Sequence, residues 1–173
     1  MANVILGLLL LRTMSLYDLV RAFEAGVSLF YSASSGSIKR ALDDLRSRGL
    51  VEAEPVRPGT RGRKAYRVTK AGRHAFEQWM LSTPAESDAE RAMLSRLYFL
   101  GLLEAPERSR VISAIRTRLE ADLARLEAVS RQVDDVQVPA DMEEVARYQR
   151  VTLDYGLASY RHALEWVRNH LAS

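Results

Sequence analysis

The chain has 173 residues, of which 47% are hydrophobic and 27% charged, enough for one domain of ordinary size or two small ones around a buried core. It contains no cysteine, which excludes disulfides, thiolate metal sites and cysteine nucleophiles. The net charge of +3 hides an asymmetry: residues 1–80 carry 13 Lys and Arg against 7 Asp and Glu, whereas residues 81–173 carry 12 against 15. Such a split directs the first half toward an anionic partner and the second toward protein.

The N-terminal apolar run Val4–Leu11 is eight residues long. A membrane span needs about 20, and neither the basic flank nor the cleavage site of a signal peptide accompanies it. A buried helix over Val4–Arg12 in a cytoplasmic protein without membrane association is expected. Ser15 with Asp18 forms a capping-box pattern opening "LYDLVRAFEAG", with Leu16, Leu19, Val20 and Phe23 on one face and Gly26 as the stop. A third helix follows in "SASSGSIKRALDDLRSRG", capped by Ser34 or Ser35, striped by Ile38, Ala41, Leu42 and Leu45, and ended by Gly49.

After Gly49 the period changes to two. Val51 and Ala53 alternate with Glu52 and Glu54, Tyr66 and Val68 flank Arg67, and Pro58, Gly59 and Gly62 supply turn chemistry between them. This predicts a β-hairpin whose tip, "RPGTRGRKAYR", gathers Arg57, Arg61, Arg63, Lys64 and Arg67 with no acid. Thr69 then caps a fourth helix, "KAGRHAFEQWML". Three helices, a hairpin and a helix is the order of a winged helix-turn-helix, with the third helix as recognition helix and the hairpin as wing. The arginine fork suits phosphate oxygens. Ser34, Ser35, Ser37, Lys39 and Arg40 are the expected DNA contacts of the recognition helix, and Arg57, Arg61, Arg63, Lys64 and Arg67 those of the wing.

The polar linker 82–88 separates residues 1–81, the DNA-binding domain, from a helical domain over 88–173, with Ser87 or Asp88 capping its first helix. Residues 107–133 read as a long helix. Residues 142–171 read as another, opened by Asp141 with Glu144. On that last helix Leu153, Leu157, Tyr160, Leu164, Val167 and Leu171 keep a 4-3 spacing, and Tyr148, Thr152, Tyr155, Ser159, His162 and Trp166 make a second stripe. Two semi-apolar faces need two partners, so the first stripe is expected to pair with a second copy. The expected fold class is mostly α with a small β-hairpin: a winged helix-turn-helix domain plus a C-terminal α-helical dimerisation domain. The aromatics Trp79, Tyr98, Tyr148, Tyr155 and Trp166 are candidates for an effector pocket. His74, His162 and His170 lack metal-ligand spacing, no nucleophile elbow or phosphate loop is present, and neither enzymatic activity nor a metal or cofactor is expected.

The pieces "ILGLL", "YDLVRAF", "SSGSIKRALDDLRSRGLVEAE", "GRKAYRVTKAGRHAFEQWM" and "ERAMLSRLYFLGLL", in this order, resemble the PadR family of transcriptional regulators. The resemblance implies a homodimer that binds double-stranded DNA at a pseudo-palindromic operator, usually a repressor, released by a small molecule or an environmental signal. Two departures stand out. Ser15-Leu16-Tyr17 replaces the family's His-Gly-Tyr, and Lys39 occupies a place where an aromatic is common. The rival reading is a winged-helix protein-interaction module whose basic wing meets an acidic protein.

Overall fold

A computed structural model describes residues 1–55, 64–84, 88–134 and 136–171. Seven α-helices are described: α1 (Ala2–Leu11), α2 (Leu16–Ala25), α3 (Ser35–Ser47), α4 (Lys70–Leu81), α5 (Ala89–Phe99), α6 (Ala105–Asp134) and α7 (Glu143–His170). Three short strands, β1 (Met14–Ser15), β2 (Val51–Pro55) and β3 (Lys64–Val68), form an antiparallel sheet in the order β1-β3-β2. The chain divides into two compact units, Met1–Val111 and Ile112–Ser173.

In the first unit local signals set the helix boundaries. The Ser15–Asp18 capping box forms on both sides: Ser15 Oγ accepts from the Asp18 N–H at 3.2 Å, and Asp18 Oδ2 accepts from the Ser15 N–H at 2.9 Å. Thr69 caps α4 through the Gly72 N–H at 3.1 Å and donates its hydroxyl to the Gly49 carbonyl at 2.8 Å, tying the start of α4 to the end of the helix-turn-helix. Gly49 has φ +69°, the left-handed conformation that lets the chain turn out of α3 into β2. Val4, Ile5, Leu6, Leu8 and Leu9 of α1 are buried, which explains a helix with no polar face. The strand β1 pairs Met14 with Tyr66, an addition to the two-stranded hairpin that the sequence pattern predicts.

The division between the units falls at Val111, beyond the 82–88 linker expected as the domain boundary, because α5 packs into the first unit. Phe99 is 1% exposed and lies edge-on to Phe76 at 5.8 Å. A Cβ on Gly7 would stand 2.7 Å from the Phe99 ring, so α1 accepts that ring only through a glycine. Asp88 caps α5 by accepting from the Arg91 N–H at 2.9 Å. Arg96 of α5 is buried, donates to the Ala92 and Trp79 carbonyls at 3.1 and 3.4 Å, and lies over the Trp79 ring at 4.8 Å.

In the second unit the descending part of α6 and α7 form an antiparallel hairpin. Along the 4-3 stripe of α7, Leu157, Leu164 and Val167 are buried within this chain, and Leu153, Tyr160 and Leu171 are half-buried. A tethered neighbour covers an apolar face before a diffusing one does. Gly156 allows close approach, Leu126 Cδ1 lying 3.5 Å from its Cβ position. Ion pairs Arg161–Glu127 (3.1 Å) and Arg168–Glu120 (3.6 Å) flank the seam, and Arg150 joins Asp134 near the turn. Asp122, which interrupts the apolar spacing of α6, is 7% exposed and held by Arg118 at 2.7 Å and Arg125 at 3.4 Å. The expected Asp141–Glu144 cap does not form. Residues Ala140–Met142 make a 3-10 turn and α7 begins at Glu143 without a side-chain cap.

Candidate nucleic-acid interface

The helix-turn-helix presents α3 with its inner ridge, Ile38, Leu42 and Leu45, at 1% exposure or less. At about 100° per residue the opposite ridge is Gly36, Arg40, Asp43 and Ser47, with Lys39 beside it. Ser34 Oγ accepts from the Ser37 N–H at 3.2 Å, and the Ser37 hydroxyl donates back to the Ser34 carbonyl at 2.7 Å. Two of the three serines thus hold the start of α3, and Ser35 stands exposed in its first turn, where backbone N–H groups favour an anion.

The cations of α3 are not all equally placed. Lys39 Nζ donates to Asp43 Oδ2 at 2.7 Å, and Arg48 pairs with Asp44 at 3.3 Å. Arg40 takes part in neither pair. The Lys39 hydrogen bond holds the Asp43 carboxyl below its ordinary value of 3.8; burial opposes it, and the charges of Lys39, Arg46 and Lys64 add to the lowering. Lys64, at the start of β3, makes the smallest of these contributions.

Of the predicted wing cations, Lys64 is exposed on β3. Arg67 bridges Glu52 at 2.8 Å and Glu54 at 3.0 Å on β2, so its charge is matched within the sheet and it stiffens the hairpin. Arg57, Arg61 and Arg63 lie outside the described residues. Sequence reasoning missed the pairing of Arg67, although alternating Glu52 and Glu54 opposite a basic strand was its signal.

The candidate effector residues are distributed over both units. In the first, Trp79 borders a small pocket of about 120 Å³ with Tyr31 and Arg91. Tyr98 packs on Phe30 and Phe99 at 5.5 and 5.0 Å, its hydroxyl 2.6 Å from the Cβ position of Gly26. In the second, Tyr148 and Tyr155 are exposed on α7, and Trp166 stacks on His170 at 4.8 Å. A groove of about 390 Å³ near the turn of the α6–α7 hairpin is lined by Val129, Val133, Val138 and Leu153, the last being the first residue of the expected dimerisation stripe. Among the described residues no helix is long and apolar enough to cross a membrane.

Residues 5–78, the helix-turn-helix with its wing, match the transcriptional regulator PadR-like family, and residues 91–173 match the virulence activator alpha C-terminal domain. Residues 5–78 form a domain of the PadR-like family. The family is one of transcriptional regulators rather than enzymes. Among curated proteins, the PadR-like chain is 22% identical over 170 residues to the negative transcriptional regulator PadR of Bacillus subtilis, covering 97% of this chain and 93% of that one. Similar solved structures include Bacillus subtilis PadR in complex with operator DNA (20% identity, 97% and 95% of the two chains, TM-score 0.45). A PadR-like regulator from Bacillus cereus (29%, 98% and 94%, 0.43) and the Vibrio cholerae virulence activator AphA (21%, 97% and 94%, 0.44) are further examples.

Proposed function

We propose that this PadR-like chain is a homodimeric repressor that binds a pseudo-palindromic operator in double-stranded DNA and is released by a small molecule or an environmental signal. The observation that carries the reading is the outer ridge of α3, where exposed Arg40 stands beside the Lys39–Asp43 pair. In this reading α3 enters the major groove. Ser35 and the N–H groups at its start take a phosphate, and Arg61, Arg63 and Lys64 hold the flanking backbone. Repression is carried over from the relative named a negative regulator.

Pairing with a second copy uses the outward stripe of α7, with Tyr148, Val151, Tyr155 and Trp166 all exposed, since the inner stripe is occupied within the chain. A dimer would set two recognition helices about 34–36 Å apart, one turn of DNA. The test is fluorescence anisotropy with the DNA upstream of the protein's own gene, across a salt series, for wild type and an Arg61→Ala/Arg63→Ala/Lys64→Ala variant. For every phosphate that the variant no longer neutralises, the slope of log K against log salt should become shallower by about 0.9. Equal slopes for the two proteins would reject the wing as a DNA contact and favour an acidic protein partner.

A further inference from the structure

Asp43 sits where a DNA-reading helix can least accommodate a carboxylate. Its neighbours on the outer ridge of α3 are Gly36, Arg40 and Ser47, and that ridge lies opposite the buried Ile38, Leu42 and Leu45. A side chain there meets base edges if α3 occupies the major groove, and an anion there is repelled by every phosphate. The groove offers a carboxylate only two hydrogen-bond donors, the exocyclic amino groups of cytosine (N4) and adenine (N6). We propose, on the DNA-binding reading given above, that Asp43 accepts a hydrogen bond from such an amino group and so determines one base pair in each half-site.

Three features support a reading role. Lys39 Nζ stands 2.7 Å from Asp43 Oδ2, so an acceptor and a donor lie side by side at hydrogen-bond spacing. A base pair presents the same pair in mirror image, because its exocyclic amino group is itself hydrogen-bonded to the partner's carbonyl oxygen. Asp43 can take the amino group while Lys39 donates to the adjoining guanine O6 or thymine O4. Secondly, Lys39, Arg46 and Lys64 all lower the free energy of the charged carboxylate, which offsets the repulsion of nearby phosphates. Thirdly, Gly36 opens the ridge: a Cβ added there would meet nothing closer than 4.0 Å, and its absence lets the start of α3 approach a base edge. A carboxylate on this ridge also acts against other sequences, since a pair without an amino group at that point leaves it unpaired beside the polyanion.

The full chain and its Asp43→Ala variant are each selected against randomised duplexes, and dissociation constants are then measured on the best duplex and its single-position changes. In the wild type, one position per half-site should demand cytosine or adenine. Asp43→Ala should lose roughly five- to tenfold of preference at that position alone. Replacing that cytosine by pyrimidin-2-one, or that adenine by purine, removes only the amino group. The replacement should weaken the wild type and leave the variant unchanged, and whichever analogue acts identifies the base. The effect of Asp43→Ala should persist in a Lys39→Ala background. If it vanishes there, Asp43 merely positions Lys39 and the inference is wrong. Unchanged preferences, or a common gain in affinity for all sequences, would equally overturn it. A wild type that enriches no sequence defeats the DNA-binding reading itself, and is seen before any variant is compared.

Discussion

Replacing Phe99 by alanine tests whether α5 is part of the DNA-binding core. The ring is 1% exposed, packs edge-on against Phe76 and Tyr98 at 5.8 and 5.0 Å, and fills the space left by Gly7. Buried Phe→Ala changes cost about 3–5 kcal/mol, and removal of the two edge-on ring pairs places this one in the upper part of that range. With a urea dependence of about 2 kcal/mol per molar, the unfolding midpoint should fall by roughly 2–2.5 M. The assay is urea unfolding of the full chain carrying Trp166→Phe, so that Trp79, 5.7 Å from Phe76, is the only emitting indole. Leu29→Ala, at a position 84% exposed, is the reference and should change stability by less than about 0.5 kcal/mol. A midpoint for Phe99→Ala no lower than that of the reference would show that α5 does not belong to the core described above.

Other outcomes follow from the same packing. Gly72→Ala places a Cβ 2.0 Å from the Leu50 carbonyl oxygen and should cost at least about 3 kcal/mol, the severe end of overpacking, whereas Gly101→Ala meets nothing within 4 Å; thermal melts compare them. Arg67→Ala should leave the salt slope of DNA binding nearly unchanged while loosening the hairpin, since Glu52 and Glu54 already match its charge. An Asp43 carboxyl followed by NMR should titrate below 3.8, and Lys39→Ala should raise its midpoint. Because the folded value is the depressed one, the stability contribution of Asp43 is present above about pH 4 and is lost as pH falls through that lower value. Stability that rises on acidification through this range would contradict the pairing.

Much of the DNA-binding unit is legible in the chain because its signals are local. Ser15 with Asp18, Ser34 before the Ile38–Leu42–Leu45 stripe, and Thr69 before α4 each act within one helical turn. The strand β1 was not legible, since two residues carry no period, and it exists only because β3 offers Met14 an edge. The docking of α5 depends on Gly7 and Phe99, far apart in sequence, and no spacing rule joins them. On α7 both stripes were visible, but not which one turns inward. Gly156 and Ala163, small residues seven apart beside Leu157 and Leu164, were the available sign of close helix approach. The Lys39–Asp43 pair follows i, i+4 spacing, but that spacing alone does not place it on the outer ridge of α3.

The ion pairs along the α6–α7 hairpin have a consequence for its register. Arg161–Glu127 and Arg168–Glu120 are separated by one heptad on each helix. Sliding α7 by seven residues would set Arg168 against Glu127 and Arg161 against Asp134, again opposite charges in facing positions. These flanking pairs therefore do not distinguish the native alignment from its nearest competitor. The distinction rests on the turn, where Arg150 donates to the Asp134 carboxylate and to the Val133 carbonyl. A slipped hairpin loses both of these contacts, so Arg150 beside the turn contributes to an alignment that the two flanking ion pairs leave open.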